Sequence, residues 1–310
     1  MPLDPQTADF LQMLADAGAK PFSDLPPSES RRAFSTLISM LPPSQAQLAN
    51  VEDRRVPGPA GDIPIRIYTP KGEGPFGVLV YVHGGGFVIG SVEDYDPTCR
   101  EVCAGAGCIV VSVEYRLAPE HPFPAAPEDA FAALNWVAKN ASSFGGDPGR
   151  LVVGGDSAGG NLAAVMAQRA RNAGGPELRG QMLIYPVTNV GEETDSLRDN
   201  AEGYLLTRAD MDYFAGHYVT DEAALENPDL CPARADSLAG LPPAWVATCE
   251  FDPLRDDGEA YAQALQKAGV EVHSKRYDGA IHGSWNFFSS LELGRQLMDD
   301  AIDWLKTRLS

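Results

Sequence analysis

The chain is 310 residues long and 44% hydrophobic, enough to bury a large core within a single α/β domain. It sets 24 lysines and arginines against 43 aspartates and glutamates, a net charge of −19. Such a field repels polyphosphates and anionic lipid surfaces, which argues against nucleic-acid binding and electrostatic membrane docking.

The predicted elements begin with two amphipathic helices between Pro2 and Ala49. Phe10, Leu11, Leu14 and Ala17 recur at helical spacing, as do Phe34, Leu37, Ile38 and Leu41, and the prolines of 21–27 separate the two runs. Their apolar faces need a partner, so residues 1–50 are expected to pack on the main body near the functional site. Residues 1–20 carry Asp4, Asp9 and Asp16 without a basic leader, and no apolar run along the chain reaches spanning length. A soluble, cytoplasmic protein is therefore expected.

From residue 51 the period changes. Ile63, Ile65 and Ile67 recur at every second position, as in an outer antiparallel strand. Continuous apolar runs follow at Val78–Val82, Cys108–Val113, Leu151–Val153, Met182–Tyr185, Ala244–Thr248 and Val270–Arg276, the composition of strands buried on both faces of a parallel sheet. Helical segments lie between them at Pro127–Asn140, Ala158–Asn172 and Asp256–Ala268. The alternation predicts a doubly wound α/β sheet over 51–310. One stretch interrupts it: 190–236 is acidic and helix-prone, carries Met211, Tyr213 and Phe214, and is expected to form a lid beside the N-terminal helices. The exposed edge of the last strand is expected to pair with a second copy in a homodimer. Cys99, Cys103, Cys108, Cys231 and Cys249 are odd in number and complete no zinc-type set, which suits reduced, half-buried thiols.

Chemistry concentrates in a few loops. Gly155-Asp156-Ser157-Ala158-Gly159 is a G-x-S-x-G pentapeptide between an apolar strand and a helical run. A turn this sharp needs small flanking residues and leaves the serine hydroxyl exposed, while the helix start favours developing negative charge. A serine hydroxyl needs a base within hydrogen-bond reach. Of the five histidines, His83, His121, His217, His273 and His282, the last lies in a loop after the final strand and completes the chain order serine, acid, histidine. The acid belongs in the preceding post-strand loop, where Asp252 in Glu250-Phe251-Asp252-Pro253 is favoured. Glu250 comes too early, and Asp256 and Asp257 look like first-turn helix acids. Gly84, Gly85 and Gly86 remove three consecutive Cβ atoms, so their amides, with that of Ala158, can form an oxyanion hole. No metal or cofactor is implied.

Several of these segments together resemble the bacterial hormone-sensitive-lipase-like esterases of the alpha/beta hydrolase superfamily, the subgroup whose elbow reads GDSAGG. The segments are HGGGFV (83–88), YRLAPEHPFPAA (115–126), GDSAGGN (155–161), Tyr185-Pro186, DPLRDDGEAYA (252–262) and GAIHG (279–283). The resemblance implies an eight-stranded, mostly parallel sheet with helices on both faces and a helical cap from the N-terminal segment and the later insertion. It implies a triad of Ser157, Asp252 and His282, oxyanion donors at Gly85, Gly86 and Ala158, a loop-shaping Gly84 and a loop-bracing His83. Asp156, Tyr185 and Phe87 are expected at the substrate pocket, although Tyr185 fits a core tyrosine equally well. Gly283-Ser284-Trp285 departs from the Phe that many relatives carry after the histidine, which implies a differently shaped pocket there.

The expected reaction is hydrolysis of short- to medium-chain esters through an acyl-enzyme, with a small-molecule ester as the partner. Amide or lactone hydrolysis by the same triad remains open on these residues. So does a non-catalytic, ligand-binding member of the fold, although such proteins typically lose a triad residue.

Overall fold

The strands and helices follow the changes in hydrophobic period closely in the computed structural model, which describes residues 2–310. In chain order they are α1 (Pro5–Asp16), α2 (Pro27–Ser39), β1 (Asn50–Gly58), β2 (Gly61–Thr69), β3 (Phe76–Val82), α3 (Asp96–Ala106), β4 (Ile109–Val113), α4 (Ala125–Asn140), β5 (Gly146–Asp156) and α5 (Ala158–Ala173). There follow β6 (Gly180–Ile184), α6 (Asp195–Asp199), α7 (Arg208–Tyr218), β7 (Ala244–Phe251), α8 (Arg255–Lys267), β8 (Val272–Ile281) and α9 (Glu292–Leu309).

The eight strands form one sheet in the order β1-β2-β4-β3-β5-β6-β7-β8. β1 and β2 pair antiparallel, β2 joins β4 antiparallel, and every later pairing is parallel. Of the strand runs read as continuous apolar segments, Val78–Val82 and Leu151–Val153 are buried on both faces, every residue at most 1% exposed. Val270–Arg276 does not meet that expectation: β8 is the last strand of the sheet and leaves His273, Ser274, Lys275 and Arg276 exposed. α9, which no motif announced, lays Leu297, Met298, Ala301, Leu305 and Leu309 into the core at helical spacing and packs against α3.

The C-terminal strand ends matter most. β3 delivers His83, β5 delivers Ser157, β7 delivers Asp252 and β8 delivers His282, each as the residue directly after its strand. In a parallel array these ends share one edge of the sheet, where open α/β sheets build their sites. β8 reaches further than the expected Val270–Arg276 and ends only at Ile281, so the residues before His282 are strand and not loop. The β7–β8 register shifts between Cys249 and Phe251, after which Phe251 pairs with Ile281. That irregularity brings the next residues on each strand, Asp252 and His282, side by side.

Candidate active site

Ser157 sits at the turn from β5 into α5 with φ 55° and ψ −120°, a left-handed conformation unusual for a residue with a Cβ. Close packing explains its glycine flanks. A Cβ on Gly155 would stand 2.3 Å from the Val82 carbonyl oxygen, and one on Gly159 would stand 2.0 Å from the same atom. The Ser157 amide donates to Ile184 O at 2.8 Å, so neighbouring β6 holds the turn as well.

The side chains then connect in one line. His282 Nε2 lies 3.1 Å from Ser157 Oγ, and His282 Nδ1 lies 2.8 Å from Asp252 Oδ2. Asp252 is fully buried, its Oδ1 accepts the Leu254 amide at 2.8 Å, and its backbone carbonyl accepts Asn200 Nδ2 at 3.2 Å. The rival acids are occupied elsewhere. Glu250 accepts from the Gly279 amide, Asp256 from the Ser196 amide, and buried Asp257 from the Thr188 and Asn189 amides.

On the other side of Ser157 runs the glycine loop. The amides of Gly85, Gly86 and Ala158 find no acceptor among the described residues, so they can serve a substrate oxygen. Gly84 differs, because its amide donates to Asp156 Oδ1 at 3.1 Å; the expectation of a donor there is corrected to a structural role. His83 braces the loop, with Nδ1 2.7 Å from Gly84 O and its ring stacked on Tyr115 at 4.4 Å.

A cavity of about 220 Å³ opens onto Ser157 and His282. Its walls come from the N-terminal segment (Phe22, Phe34) and from the 190–236 stretch (Met211, Phe214), and Phe87 and Asp156 also border it. The two segments hold each other: the Ser23 amide donates to Asp210 Oδ1 at 2.8 Å, and Ser30 Oγ lies 3.3 Å from the Tyr213 hydroxyl. Asp210 also closes the capping box of α7 with Thr207.

One expected pocket residue lies elsewhere. Tyr185 is fully buried behind His282, ring centroids 4.4 Å apart, and does not line the cavity. Of the residues after His282, Gly283, Asn286 and Phe287 reach the cavity, while Trp285 is fully buried and points its indole N–H at the Tyr81 hydroxyl, 2.8 Å away. The departure after His282 therefore touches the pocket wall at Gly283 as well as the layer beneath it at Trp285.

Sequence reasoning missed several contributors. Arg31 of α2 donates to Val88 O at 2.8 Å and to Ala118 O at 2.8 Å, and its paired bonds to Glu120 hold that carboxyl down at about 2. Phe87, at φ 63°, stacks face to face on Tyr218 of α7 at 3.9 Å. Both contacts steady the glycine loop from the N-terminal and inserted segments. An arginine in an amphipathic helix looks like a solvated residue until its partners are known, so only the aromatic content of the insertion hinted at these contacts. Phe87, Ser157, Tyr185 and Leu205 are the non-glycine residues with positive φ among the described residues. All of them line the cavity or touch His282.

The chain has close relatives in sequence and in fold. A family profile described as alpha/beta hydrolase fold matches residues 79–286. The carboxylic ester hydrolase LipN of Mycobacterium tuberculosis is 45% identical over 84% of this chain and 70% of its own length. The carboxylesterase NlhH of the same organism is 44% identical over 91% of this chain and 90% of its own length. Among solved structures, the hyperthermophilic esterase from Pyrobaculum calidifontis superposes with a TM-score of 0.94 at 42% identity, covering 99% of both chains. The ester-hydrolase EH1AB1 from the Lake Arreo metagenome also gives 0.94, at 41% identity over 98% of both chains. The chain belongs to the alpha/beta hydrolase fold family, among relatives that are esterases of the hormone-sensitive-lipase-like kind.

Proposed function

We propose that this chain hydrolyses short- to medium-chain carboxylic esters with Ser157 as nucleophile, His282 as general base and acid, and Asp252 as the carboxylate that orients the imidazole. The observation that carries the reading is the continuous run from Asp252 Oδ2 through His282 to Ser157 Oγ beside three amides without acceptors. His282 takes the Ser157 proton as the hydroxyl attacks the ester carbonyl, and the Gly85, Gly86 and Ala158 amides donate to the resulting oxyanion. The imidazolium returns the proton to the departing alcohol. Water then attacks the acyl-serine with the same base, releasing the acid and freeing Ser157. All of these steps use side chains and amides of this chain alone.

Residues 1–50 and 190–236 together make a cap over the 51–310 catalytic body. Their mutual bonds and shared aromatic walls support that division. A cavity of about 220 Å³ is small beside the roughly 300–1,000 Å³ of sites for drug-sized ligands, which favours short acyl groups. Purified protein assayed on p-nitrophenyl acetate, butyrate, octanoate and palmitate is expected to give its highest kcat/KM on the first two or three, falling at palmitate. A maximum on palmitate would remove the chain-length assignment, and no turnover of any ester would remove the hydrolase assignment.

Two coarser features extend the reading. Among the described residues, no helix is long and apolar enough to cross a membrane; all five cysteines are free and buried, which supports a reducing, cytoplasmic compartment as part of this reading. β8 closes the sheet order and exposes His273, Ser274, Lys275 and Arg276, which leaves an edge for a second copy. Gel filtration with light scattering is expected to give a dimer mass at micromolar concentration. A monomer mass across a dilution series would remove the dimer.

A further inference from the structure

Asp156 takes no part in the chemistry above, yet it accepts three hydrogen bonds directly beside it. It is 2% exposed and accepts the Tyr81 hydroxyl at 2.6 Å, the Tyr95 hydroxyl at 2.9 Å and the Gly84 amide at 3.1 Å. Each phenol is held in turn. Tyr81 accepts from Trp285 Nε1 at 2.8 Å, and Tyr95 accepts from Asn286 Nδ2 at 3.1 Å, whose own Oδ1 accepts Thr98 Oγ1 at 3.2 Å. A Cβ on Gly84 would stand 2.5 Å from Asp156 Oδ2 and 3.0 Å from the Tyr95 hydroxyl, so this approach requires glycine there.

The network therefore touches all three reactive loops. Asp156 precedes Ser157, Gly84 precedes the two oxyanion amides, and Trp285 and Asn286 follow His282 by a few residues. Three donors converge on one carboxylate, the arrangement an anion accepts and a neutral acid cannot fully use. We propose that Asp156 is a positioning residue for ester hydrolysis, whose buried carboxylate sets the oxyanion loop and the histidine loop against Ser157 through Gly84, Tyr81–Trp285 and Tyr95–Asn286. The inference rests on the ester-hydrolase reading and adds a residue to it.

Electrostatics pulls both ways on this carboxylate, and burial is the larger effect. Burial pushes the Asp156 carboxyl up, and the Tyr81 and Tyr95 hydroxyls and the charges available to His83 and His282 draw it back. The other titratable groups in its field are Tyr81, Tyr95, Tyr115, Tyr185 and Cys99, all pushed up by burial and hence neutral. Asp252 faces His282 from β7. Asp156 and His282 thus interact through charge, and removing the carboxylate changes the field at the imidazole.

The test compares full-length wild type, Ser157→Ala, Asp156→Asn and Trp285→Phe on p-nitrophenyl butyrate between about pH 5 and 9, with melting temperatures measured alongside. Asp156→Asn is expected to lower kcat roughly 10- to 100-fold, with KM within about threefold. The acid limb of its kcat/KM profile is expected to move to lower pH. Trp285→Phe, which keeps an aromatic ring and loses the N–H donor, is expected to lower kcat in the same direction by less, at temperatures where it is fully folded. If Asp156→Asn does not fold, Trp285→Phe decides: a lowered kcat in folded protein supports the proposal, and a wild-type kcat overturns it. Wild-type kcat and an unmoved acid limb in folded Asp156→Asn also overturn it. A kcat loss that only tracks lost folded protein overturns it too.

Failure of the parent reading looks different. Wild type would then be inactive, or Ser157→Ala active. In that event the downfield His282 Nδ1 proton resonance gives the answer: a change in its position in Asp156→Asn or Trp285→Phe supports the network, and an unchanged resonance overturns it.

Discussion

Ser157→Ala is expected to lower kcat on p-nitrophenyl butyrate by roughly 10⁴- to 10⁶-fold. The substitution deletes the one oxygen that His282 Nε2 faces at 3.1 Å. The Gly85, Gly86 and Ala158 amides and the cavity remain, so substrate still binds, and the residual rate reflects water attacking a bound ester in the oxyanion hole. Alanine must keep the φ of 55° that the turn imposes, so the melting temperature is expected to stay close to that of wild type. Steady-state kinetics at saturating ester, with a thermal melt on the same sample, checks both halves. Activity above a few per cent of wild type in protein free of wild-type contamination would show that another group carries the acyl transfer.

Asp252→Asn is expected to lower kcat roughly 10⁴-fold while leaving the fold intact. The carboxylate is completely buried, and its two oxygens face His282 Nδ1 and the Leu254 amide. An asparagine has one acceptor oxygen to satisfy those two donors. If that oxygen keeps the Leu254 amide, the amide NH₂ meets Nδ1 and forces the imidazole into the tautomer that cannot accept the Ser157 proton. The same replacement at Asp256 is expected to cost far less, because its carboxylate accepts the Ser196 amide and Arg255 and has no bond to His282. Measuring kcat for the pair discriminates a triad role from a general loss of acidic charge. Equal effects would sink the assignment of Asp252.

The sequence exposed the sheet and the reactive loops because both depend on local chemistry. Strands buried on both faces must be continuously apolar, as Val78–Val82 and Leu151–Val153 are, and an elbow as tight as that at Ser157 admits only small neighbours. Asp252 and His282 stand out as candidates because each follows a strand and chain order limits the choices. Contacts between distant segments were illegible. Arg31 reaches Val88 and Glu120 across the fold, and nothing in helix α2 distinguishes it from Arg32, which stays at the surface beside Glu29. Tyr185 shows the converse limit. Its place after β6 was clear, but whether the ring faced the cavity or the back of His282 depends on a φ of 32°, which a tyrosine does not announce. Trp285 was visible as a departure from the related esterases, and only its partner Tyr81 reveals that it turns inward. α9 carried no motif, and its amphipathic spacing gains meaning only once a sheet and α3 exist to receive it.

The four non-glycine residues held at positive φ have a consequence for how this chain tolerates change. Such conformations cost about 1–3 kcal/mol each and persist only where surrounding packing imposes them, against a typical net folding stability of about 5–15 kcal/mol. A noticeable share of the molecule's reserve is thus committed around one cavity. Substitutions far away, in the outer strands or on α9, draw on whatever reserve is left. A variant line selected for new substrates would reach its folding threshold sooner than the size of the core suggests, and stabilising the distant β1–β2 edge first would widen the range of pocket changes the chain can survive.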